Sequence, residues 1–380
     1  MISRRVTSDA DANAVTRLLA ELQVEGGPIA DLTESNPTRC GIAYPADILE
    51  SLSDPRALQY APHPFGLPAA RAAVAADQER RGASVDPAHV VLTASTSEAY
   101  GWLFKLLCDP GEAVLVPQPS YPLFEHLTAL EGIAAHPYAL EYHAGWTIDM
   151  VSIRRAPSTV RALLVVSPNN PTGSFVRAAD LAELSDICRS RGWALIADEV
   201  FADYPLETAS PLTDIAARSD VPAFTLGGLS KTVGLPQLKL GWCIAGGPPG
   251  QRDAALRALE LIADTYLSVA TPVQVAAATL LREGASIRTA IQGRIATNLD
   301  ALRSMTARFP ACETLIVEGG WSAAEHQLSG HWGALAQMAP FIGMSLALLQ
   351  AGEAGQPCGW LSQDGDQRLA IGMAVPHGND

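Results

Sequence analysis

Short apolar runs alternate with segments of helical periodicity through the first two thirds of the chain. Apolar runs of about four to eight residues between turn-forming residues are typical of buried strands, and apolar residues three or four apart are typical of amphipathic helices. Such alternation predicts an α/β fold in which helices cover a mostly parallel central sheet. The expected strands are residues 88–93, 113–116, 162–166, 194–197 and 223–226, and the expected helices are residues 67–81, 98–108 and 180–191.

The last third of the chain predicts a second, smaller α/β domain. Long helical patterns at residues 249–268 and 272–309 lead to a possible strand at residues 312–317. A chain of 380 residues is long enough for about two domains. We expect an N-terminal segment associated with the small domain, a large domain and a small C-terminal domain, at residues 1–47, 48–275 and 276–380.

The N-terminal segment is expected to contain one helix and one extended stretch. Residues 13–23 have an amphipathic pattern, and residues 31–38 are extended and rich in turns because Pro37 disfavours helix at Asn36. Acidic residues stand where a signal peptide needs an apolar core, and no apolar run has the length needed to span a bilayer. We therefore expect a soluble, cytoplasmic protein without a membrane partner.

Composition argues against several other classes of protein. The formal net charge of −14 gives nucleic acids and anionic membranes no favourable long-range field, so no nucleic-acid partner is expected. The six cysteines form neither a CxxC pair nor a Cys/His cluster with metal-ligand spacing. Reduced thiols and the absence of a metal site are therefore expected, although disulfides stay a less favoured alternative.

The lysines are unusual in both number and position. Among 26 basic residues only Lys105, Lys231 and Lys239 are lysines. Lys231 comes shortly after Gly227 and Gly228, which end the predicted strand at residues 223–226. A neutral amine can attack a carbonyl and form a Schiff base, whereas a guanidinium stays protonated. Most lysines are solvent-exposed cations, so a Schiff-base role for Lys231 needs support from the residues at the other strand ends.

Three further strand ends carry polar residues that would share a cavity with Lys231, because ligands of open α/β sheets bind at the carboxyl ends of the strands. Ser95 and Thr96 begin a helix whose N–H groups suit a phosphate, although such residues are also ordinary helix caps. Asn170, in the turn SPNNPTG, would offer an amide to a ligand or form an Asx turn. Asp198 ends an apolar strand and needs a partner, which a salt bridge or a cap would also provide.

Together these four strand ends supply the groups needed to hold pyridoxal phosphate: a lysine for the aldehyde, a carboxylate for the pyridinium, a helix start for the phosphate, and a turn amide. The chain resembles the class I/II aminotransferases of fold type I, the aspartate-aminotransferase-like pyridoxal phosphate enzymes. The resemblance runs over about residues 31–246 and is carried by the motifs YAPHPFGLPAAR, PSYP, NNPTG, DEVF and SK.

The resemblance implies a role for each matching residue. Lys231 would form the Schiff base and act as the general base, Asp198 would pair with the pyridine nitrogen, and Asn170 would bind the ring oxygen O3′ and the substrate. Tyr60 would reach the phosphate of the neighbouring subunit's cofactor, which implies a homodimer. Tyr121 would stack on the ring as a third catalytic residue, Ser95, Thr96, Ser230 and Lys239 would face the phosphate, and Asn36 and Arg368 would bind the substrate. Arg368, in QRLAIG, would clamp the α-carboxylate, with an ordinary surface arginine as the alternative.

Three residues depart from the family pattern at the cofactor. Phe201 stands where relatives have the tyrosine of DEVY, Gly228 where they have a serine, and Lys239 where they have an arginine. A lysine neutralises a phosphate as a point charge, without the bidentate fork of an arginine. We expect a cofactor site with fewer hydrogen bonds than usual. Residues 328–360 have no clear match to the family.

The function implied by the resemblance is transfer of the amino group of an L-amino acid to a 2-oxo acid. A C–S β-lyase, or other carbanion chemistry of pyridoxal phosphate on the same fold, is one alternative. A non-catalytic ligand-binding module is another. A nicotinamide dehydrogenase is disfavoured because no GxGxxG follows a strand. Residues 32–37 and the surroundings of Trp321 contain no second cationic clamp, which favours neutral or aromatic amino donors.

Overall fold

The computed structural model describes residues 3–6, 20–21, 24, 35–206, 215–308, 312–321, 326–328, 358–364 and 367–373. Its centre is an eight-stranded sheet with the strand order β1-β8-β7-β6-β5-β2-β3-β4. The strands are β1 (Val90–Thr93), β2 (Ala113–Gln118), β3 (Ala134–Tyr142), β4 (Trp146–Ile148), β5 (Val160–Val166), β6 (Ala194–Asp198), β7 (Ala223–Gly228) and β8 (Gly241–Gly246).

Five neighbouring strands, in the order β3, β2, β5, β6 and β7, run parallel. β8 is antiparallel to both β7 and β1, and β4 is antiparallel to β3. Strand order reverses between β2 and β5, and ligands of such sheets bind at this kind of switch point. The strand ends at Thr93, Gln118, Val166, Asp198 and Gly228 lie along one edge, which we call the carboxyl edge.

Helices cover both faces of the sheet. They are α1 (Pro68–Arg80), α2 (Thr96–Leu107), α3 (Leu123–Glu131), α4 (Met150–Arg154), α5 (Ala178–Arg191), α6 (Ile215–Arg218), α7 (Leu229–Thr232), α8 (Pro249–Tyr266), α9 (Thr271–Glu283) and α10 (Ala285–Thr306). Short 3-10 helices occur at Glu50–Ser53, Pro55–Leu58, Pro87–His89 and Pro236–Leu238. Two further antiparallel pairs join β9 (Cys312–Thr314) to β10 (His326–Leu328) and β11 (Cys358–Asp364) to β12 (Gln367–Met373).

The core consists of layers on the two faces of the sheet. Successive side chains of a strand point to opposite faces, so Leu163 and Leu195 pack in one cluster with α5, and Leu164 and Ile196 pack in another with α2 and α8. A third cluster joins α1, α9 and α10 to the end of the sheet that contains Trp242. Burial on both faces explains why β5, β6 and β7 are almost continuously apolar.

The α/β fold and the mostly parallel sheet are confirmed, as are the five predicted strands and the helices predicted at residues 67–81, 98–108 and 180–191. The single helix at residues 272–309 is wrong, because α9 ends at Glu283 and α10 begins at Ala285. Gly284 separates them, and a Cβ there would lie 2.5 Å from Val233 Cβ. The strand at residues 312–317 is shorter than predicted. The helix at residues 13–23 lies almost entirely outside the described residues, and the domain boundaries stay a prediction.

The sequence also predicts that the protein has no membrane span, no metal site and no disulfide bond. Within the described ranges no helix combines the length and the apolar character needed to cross a membrane. The same residues contain no group of three or more His, Cys, Asp or Glu side chains able to hold a metal ion. Cys40, Cys108, Cys188 and Cys243, the cysteines whose side chains the structure describes, do not form disulfide bonds.

Candidate active site

Lys231 lies on the short helix α7, directly after β7 at the carboxyl edge. Other parts of the chain hold its backbone in place. The Tyr204 hydroxyl donates a hydrogen bond to the Lys231 carbonyl at 2.6 Å, and Arg288 Nη1 donates to the Thr232 carbonyl at 3.3 Å. Leu229 N donates to the Leu240 carbonyl at 2.9 Å. The lysine is therefore presented by a fixed turn, although it occurs in a loop-like sequence.

The side chain of Lys231 lies near two aromatic rings and feels the charge of a carboxylate. Its Nζ is 4.6 Å from the ring centroid of Trp321 and 5.3 Å from that of Phe201. Burial lowers the pKa of the Lys231 amine, and the charge of Asp198 acts in the opposite direction. A lowered pKa increases the neutral fraction of the amine near neutral pH, which is the form that acts as a nucleophile or a base.

Asp198 ends β6 with its side chain buried. Its Oδ2 accepts a hydrogen bond from the Tyr100 hydroxyl at 2.6 Å, and its Oδ1 accepts one from Val200 N at 3.0 Å. Burial raises the pKa of the Asp198 carboxyl, while the hydrogen bonds from Tyr100 and Val200 and the charge of Lys231 oppose that effect. The neighbouring Glu199 adds a smaller contribution that raises this pKa.

The turn after β5 is built around Asn169 rather than Asn170. The Asn169 side chain donates to the Pro119 carbonyl at 3.1 Å and to Thr172 Oγ1 at 2.9 Å, and it accepts from Ser120 Oγ at 2.9 Å. These bonds join the turns that follow β2 and β5, on either side of the switch point. Asn170 follows at the partly exposed surface of the turn, with a cis peptide bond to Pro171.

Ser95 and Thr96 form the start of α2, at the end of β1. Ser95 Oγ accepts a hydrogen bond from Glu98 N at 3.2 Å, so Ser95 is the helix cap. The N–H groups of Thr96 and Ser97 have no partner within the helix. Gly241, which lies opposite Thr93 and Gly228 in the sheet, packs against this turn, and a Cβ at Gly241 would be 2.9 Å from the Ser95 carbonyl carbon. This packing places the helix start against β8, which pairs with β7, the strand that leads to Lys231.

The other predicted site residues differ in exposure and in local structure. Ser230 is partly buried beside Lys231, and Tyr121 follows β2 with 49% of its surface exposed. Lys239 is exposed and has a left-handed backbone, with φ of 52°. Asn36 Oδ1 accepts hydrogen bonds from Thr38 N and Thr38 Oγ1, as in an Asx turn. Tyr60 is 78% exposed, and Arg368 lies on β12 opposite Gln363.

Two residues with direct contacts at the site were missed by the sequence prediction. Tyr100 is four positions after Thr96 and therefore lies on the same face of α2, a spacing that would have indicated it. Trp321 comes from a segment almost ninety positions after Lys231 and is brought in by backbone pairing. Glu318 N and Gly319 N both donate to the Gly173 carbonyl, and Gly320 N donates to the Tyr204 carbonyl. Only the fold reveals that contact.

The carboxyl edge therefore contains a desolvated amine, a buried carboxylate held by two donors, and a helix start with free N–H groups. Such a set can attack a carbonyl, pair with a cationic nitrogen and bind an anion. These capabilities agree with the comparisons with known proteins.

The sequence matches the family described as aminotransferase class I and II over residues 33–327. It is 29% identical to the alanine aminotransferase of Mycobacterium tuberculosis over 261 residues, which are 67% of this chain and 60% of that protein. It is 30% identical to the glutamate-pyruvate aminotransferase AlaA of Haemophilus influenzae over 267 residues, which are 68% of this chain and 65% of that protein. The matched segment thus spans less than two thirds of either relative.

Solved structures of aminotransferases share the fold of this chain. An aminotransferase from Escherichia coli superposes with a TM-score of 0.73 at 25% identity, covering 84% of this chain and 81% of that one. An alanine aminotransferase from Pyrococcus furiosus superposes with a TM-score of 0.75 at 24% identity, covering 88% and 86%. These neighbours have the fold of the pyridoxal phosphate enzymes of fold type I. The matched range covers most of the chain, and the chain belongs to the aminotransferase class I and II family, whose members use pyridoxal phosphate.

Proposed function

We propose that the protein is a pyridoxal-phosphate-dependent aminotransferase that moves the amino group of an L-amino acid to a 2-oxo acid. The observation that carries the proposal is the partly buried Lys231 amine, which lies 4.6 Å from the ring centroid of Trp321 and feels the charge of Asp198. Both groups lie on the carboxyl edge with the start of α2. Membership of the family adds support, since the relatives named above are aminotransferases.

The residues present fit the cofactor. Gly241 leaves the first N–H group of α2 unobstructed, because a Cβ at position 241 would lie 3.1 Å from Thr96 N. In the proposed complex Asp198 pairs with the pyridine nitrogen, Asn170 contacts the ring oxygen and Tyr121 covers one ring face. Ser95, Thr96, Ser230 and Lys239 bind the phosphate.

When bound, pyridoxal phosphate would supply an aldehyde for Lys231 and an electron-withdrawing ring that acidifies the Cα–H of an amino acid. The chain's own residues perform the remaining tasks. Lys231 Nζ, whose pKa is lowered by burial, removes the proton from the substrate Cα. Trp321 and Phe201 exclude water from one side of this amine. Asn36 and Arg368 are proposed to bind the substrate, with Arg368 on the α-carboxylate.

The proposal includes a cytoplasmic homodimer in which Tyr60 reaches the neighbouring site. Apolar side chains exposed near Tyr60 support it: Leu58 is 90% exposed, and Leu267, which lines the same small cavity as Tyr60, is also exposed. Exposed apolar side chains that are grouped, as Tyr60 and Leu267 are around one cavity, are typical of an interface. We also propose the domain division into residues 1–47, 48–275 and 276–380, with the active site between the large and the small domain.

Alanine with 2-oxoglutarate, the pair suggested by the relatives' names, is the first substrate pair to test.

The test is turnover by the purified chain loaded with pyridoxal phosphate, against a panel of amino acids with 2-oxoglutarate or pyruvate. The expected result is one 2-oxo acid formed per amino acid produced, lost in Lys231→Ala and retained in Lys105→Arg. Pyruvate and ammonia released from a cysteine conjugate without an acceptor would instead support the C–S β-lyase. Bound cofactor without turnover of any amino acid would support a non-catalytic binding module.

A further inference from the structure

Tyr100 connects helix α2 to the carboxylate at the end of β6. Its ring is buried and packs against Phe104 and Phe124, with centroids 5.9 and 5.4 Å away. Its hydroxyl donates to Asp198 Oδ2 at 2.6 Å. A phenylalanine would fill the same apolar surroundings, since the two side chains differ only in the hydroxyl. Packing therefore accounts for the ring at position 100 but not for its hydroxyl.

The two hydrogen bonds of Asp198 fix the plane of its carboxylate, because Tyr100 binds one oxygen and Val200 N binds the other. An ionised carboxylate has about four acceptor sites, so two donors leave capacity for a further partner. The charged and titratable groups that act on Asp198 are Tyr100 from α2, Glu199 next to it and Lys231 from α7. Of these, only Lys231 carries a positive charge.

We propose that Tyr100 is a positioning residue, whose hydroxyl orients the Asp198 carboxylate and so sets how strongly Asp198 holds the pyridine nitrogen of pyridoxal phosphate. This inference rests on the proposed function, because it assumes that the site binds that cofactor. Hydrogen bonds to charged groups are among the stronger ones in proteins. Without the hydroxyl, Asp198 would keep one donor in a buried site, and burial favours its neutral form.

The test compares two ligands on the full-length apoprotein. Pyridoxal phosphate carries the ring nitrogen, and 1-deazapyridoxal phosphate has C–H in its place. In Tyr100→Phe we expect the affinity for pyridoxal phosphate to fall roughly tenfold, from the loss of one hydrogen bond to a charged group, while deaza-analogue affinity stays within about twofold. The wild-type preference for pyridoxal phosphate over the analogue should therefore shrink.

A matched control is Tyr138→Phe. Tyr138 is a buried tyrosine of β3 whose hydroxyl donates to the Leu164 carbonyl at 2.9 Å, so its loss should leave the ratio of the two affinities unchanged. If Tyr100→Phe folds poorly, 2,3-difluorotyrosine at position 100 keeps the shape and is a stronger donor. That replacement should increase the preference for pyridoxal phosphate.

The outcomes separate this inference from the proposed function. If Tyr100→Phe weakens both ligands equally, or neither, the positioning role is wrong although cofactor binding stands. If the wild-type protein does not distinguish the two ligands, Asp198 does not pair with the ring nitrogen and the inference also fails. If the wild-type protein binds neither ligand, the proposed function itself fails.

Discussion

The Lys231 amine lies against the indole face of Trp321, with Nζ 4.6 Å from the ring centroid. The Phe201 ring is 5.3 Å from the same nitrogen and meets Trp321 edge-on, with centroids 5.5 Å apart. Aromatic faces attract cations, so this pair of rings favours the ammonium form that burial disfavours. The acidity of the proposed catalytic amine is thus set by competing contributions from its aromatic, apolar and charged surroundings.

Replacing Trp321 with leucine should lower the pKa of Lys231 in the apoprotein. Loss of a cation–π contact worth about 0.5–2 kcal/mol corresponds to a decrease of roughly 0.4–1.5 pKa units. The measurement is the pH dependence of trace acetylation of Lys231, followed by peptide mass spectrometry, with the exposed Lys239 as the internal reference. Trp321→Phe keeps a ring face and should shift the pKa less. An unchanged or raised pKa in Trp321→Leu would contradict the cation–π interpretation.

Gly173→Ala should destabilise the fold and displace Trp321. Gly173 has φ of 67°, and a Cβ there would lie 2.3 Å from Val317 Cγ1 and 2.8 Å from the Gly319 carbonyl oxygen. The left-handed backbone costs about 1 kcal/mol for alanine and the overpacking about 1–3 kcal/mol more. The free energy of unfolding, measured in urea, should fall by the sum of these costs.

Gly192→Ala is the matched control for Gly173→Ala. Gly192 has φ of 70°, but its added Cβ would meet no atom within 4 Å, so only the backbone cost of about 1 kcal/mol applies. Equal losses in the two variants would mean that the contact between Gly173 and the Val317 segment does not constrain the fold.

Breaking the ion pair beside the site should cost more than breaking a surface pair. Glu199 Oε2 is 2.5 Å from Arg81 Nη2, and both side chains are buried, with 1% and 8% exposed. Removing one charge from a buried pair costs about 3–5 kcal/mol, so Glu199→Gln should lower the free energy of unfolding by about that amount. Glu183→Gln, in the exposed pair with Arg154, should cost about 0–1 kcal/mol. Similar losses in the two variants would show that Glu199 does not rely on Arg81.

The sequence predicts the parts of this protein whose signal is local. β5, β6 and β7 are continuous apolar runs because helices cover both sheet faces, and the functional motifs follow these strands directly. β8 gives no clear strand signal because glycines bound it at Gly241 and Gly246. The division between α9 and α10 depends on Gly284 packing against Val233, a contact between residues about fifty positions apart.

The same distinction applies to the site. Lys231 and Asp198 stand at the ends of apolar strands, so the sequence predicts both as site residues, and the structure brings both to the carboxyl edge. Trp321 reaches Lys231 only through the backbone pairing of residues 318–320 with Gly173 and Tyr204, which no local pattern reveals. The sequence does not show that Asn169 rather than Asn170 holds the turn together, because the two residues are adjacent and of the same type. Their surroundings distinguish them, since the Asn169 side chain is buried and bonded to the turn after β2.

The central claim is that Lys231 carries the cofactor, and borohydride reduction tests it most directly. The chain has only three lysines, so mapping them by peptide mass spectrometry after loading with pyridoxal phosphate covers every candidate side chain. We predict that the reduced pyridoxyl group is found on Lys231 and is lost in Lys231→Ala. A label on Lys105 or Lys239 instead, or no label on any lysine, would contradict the account.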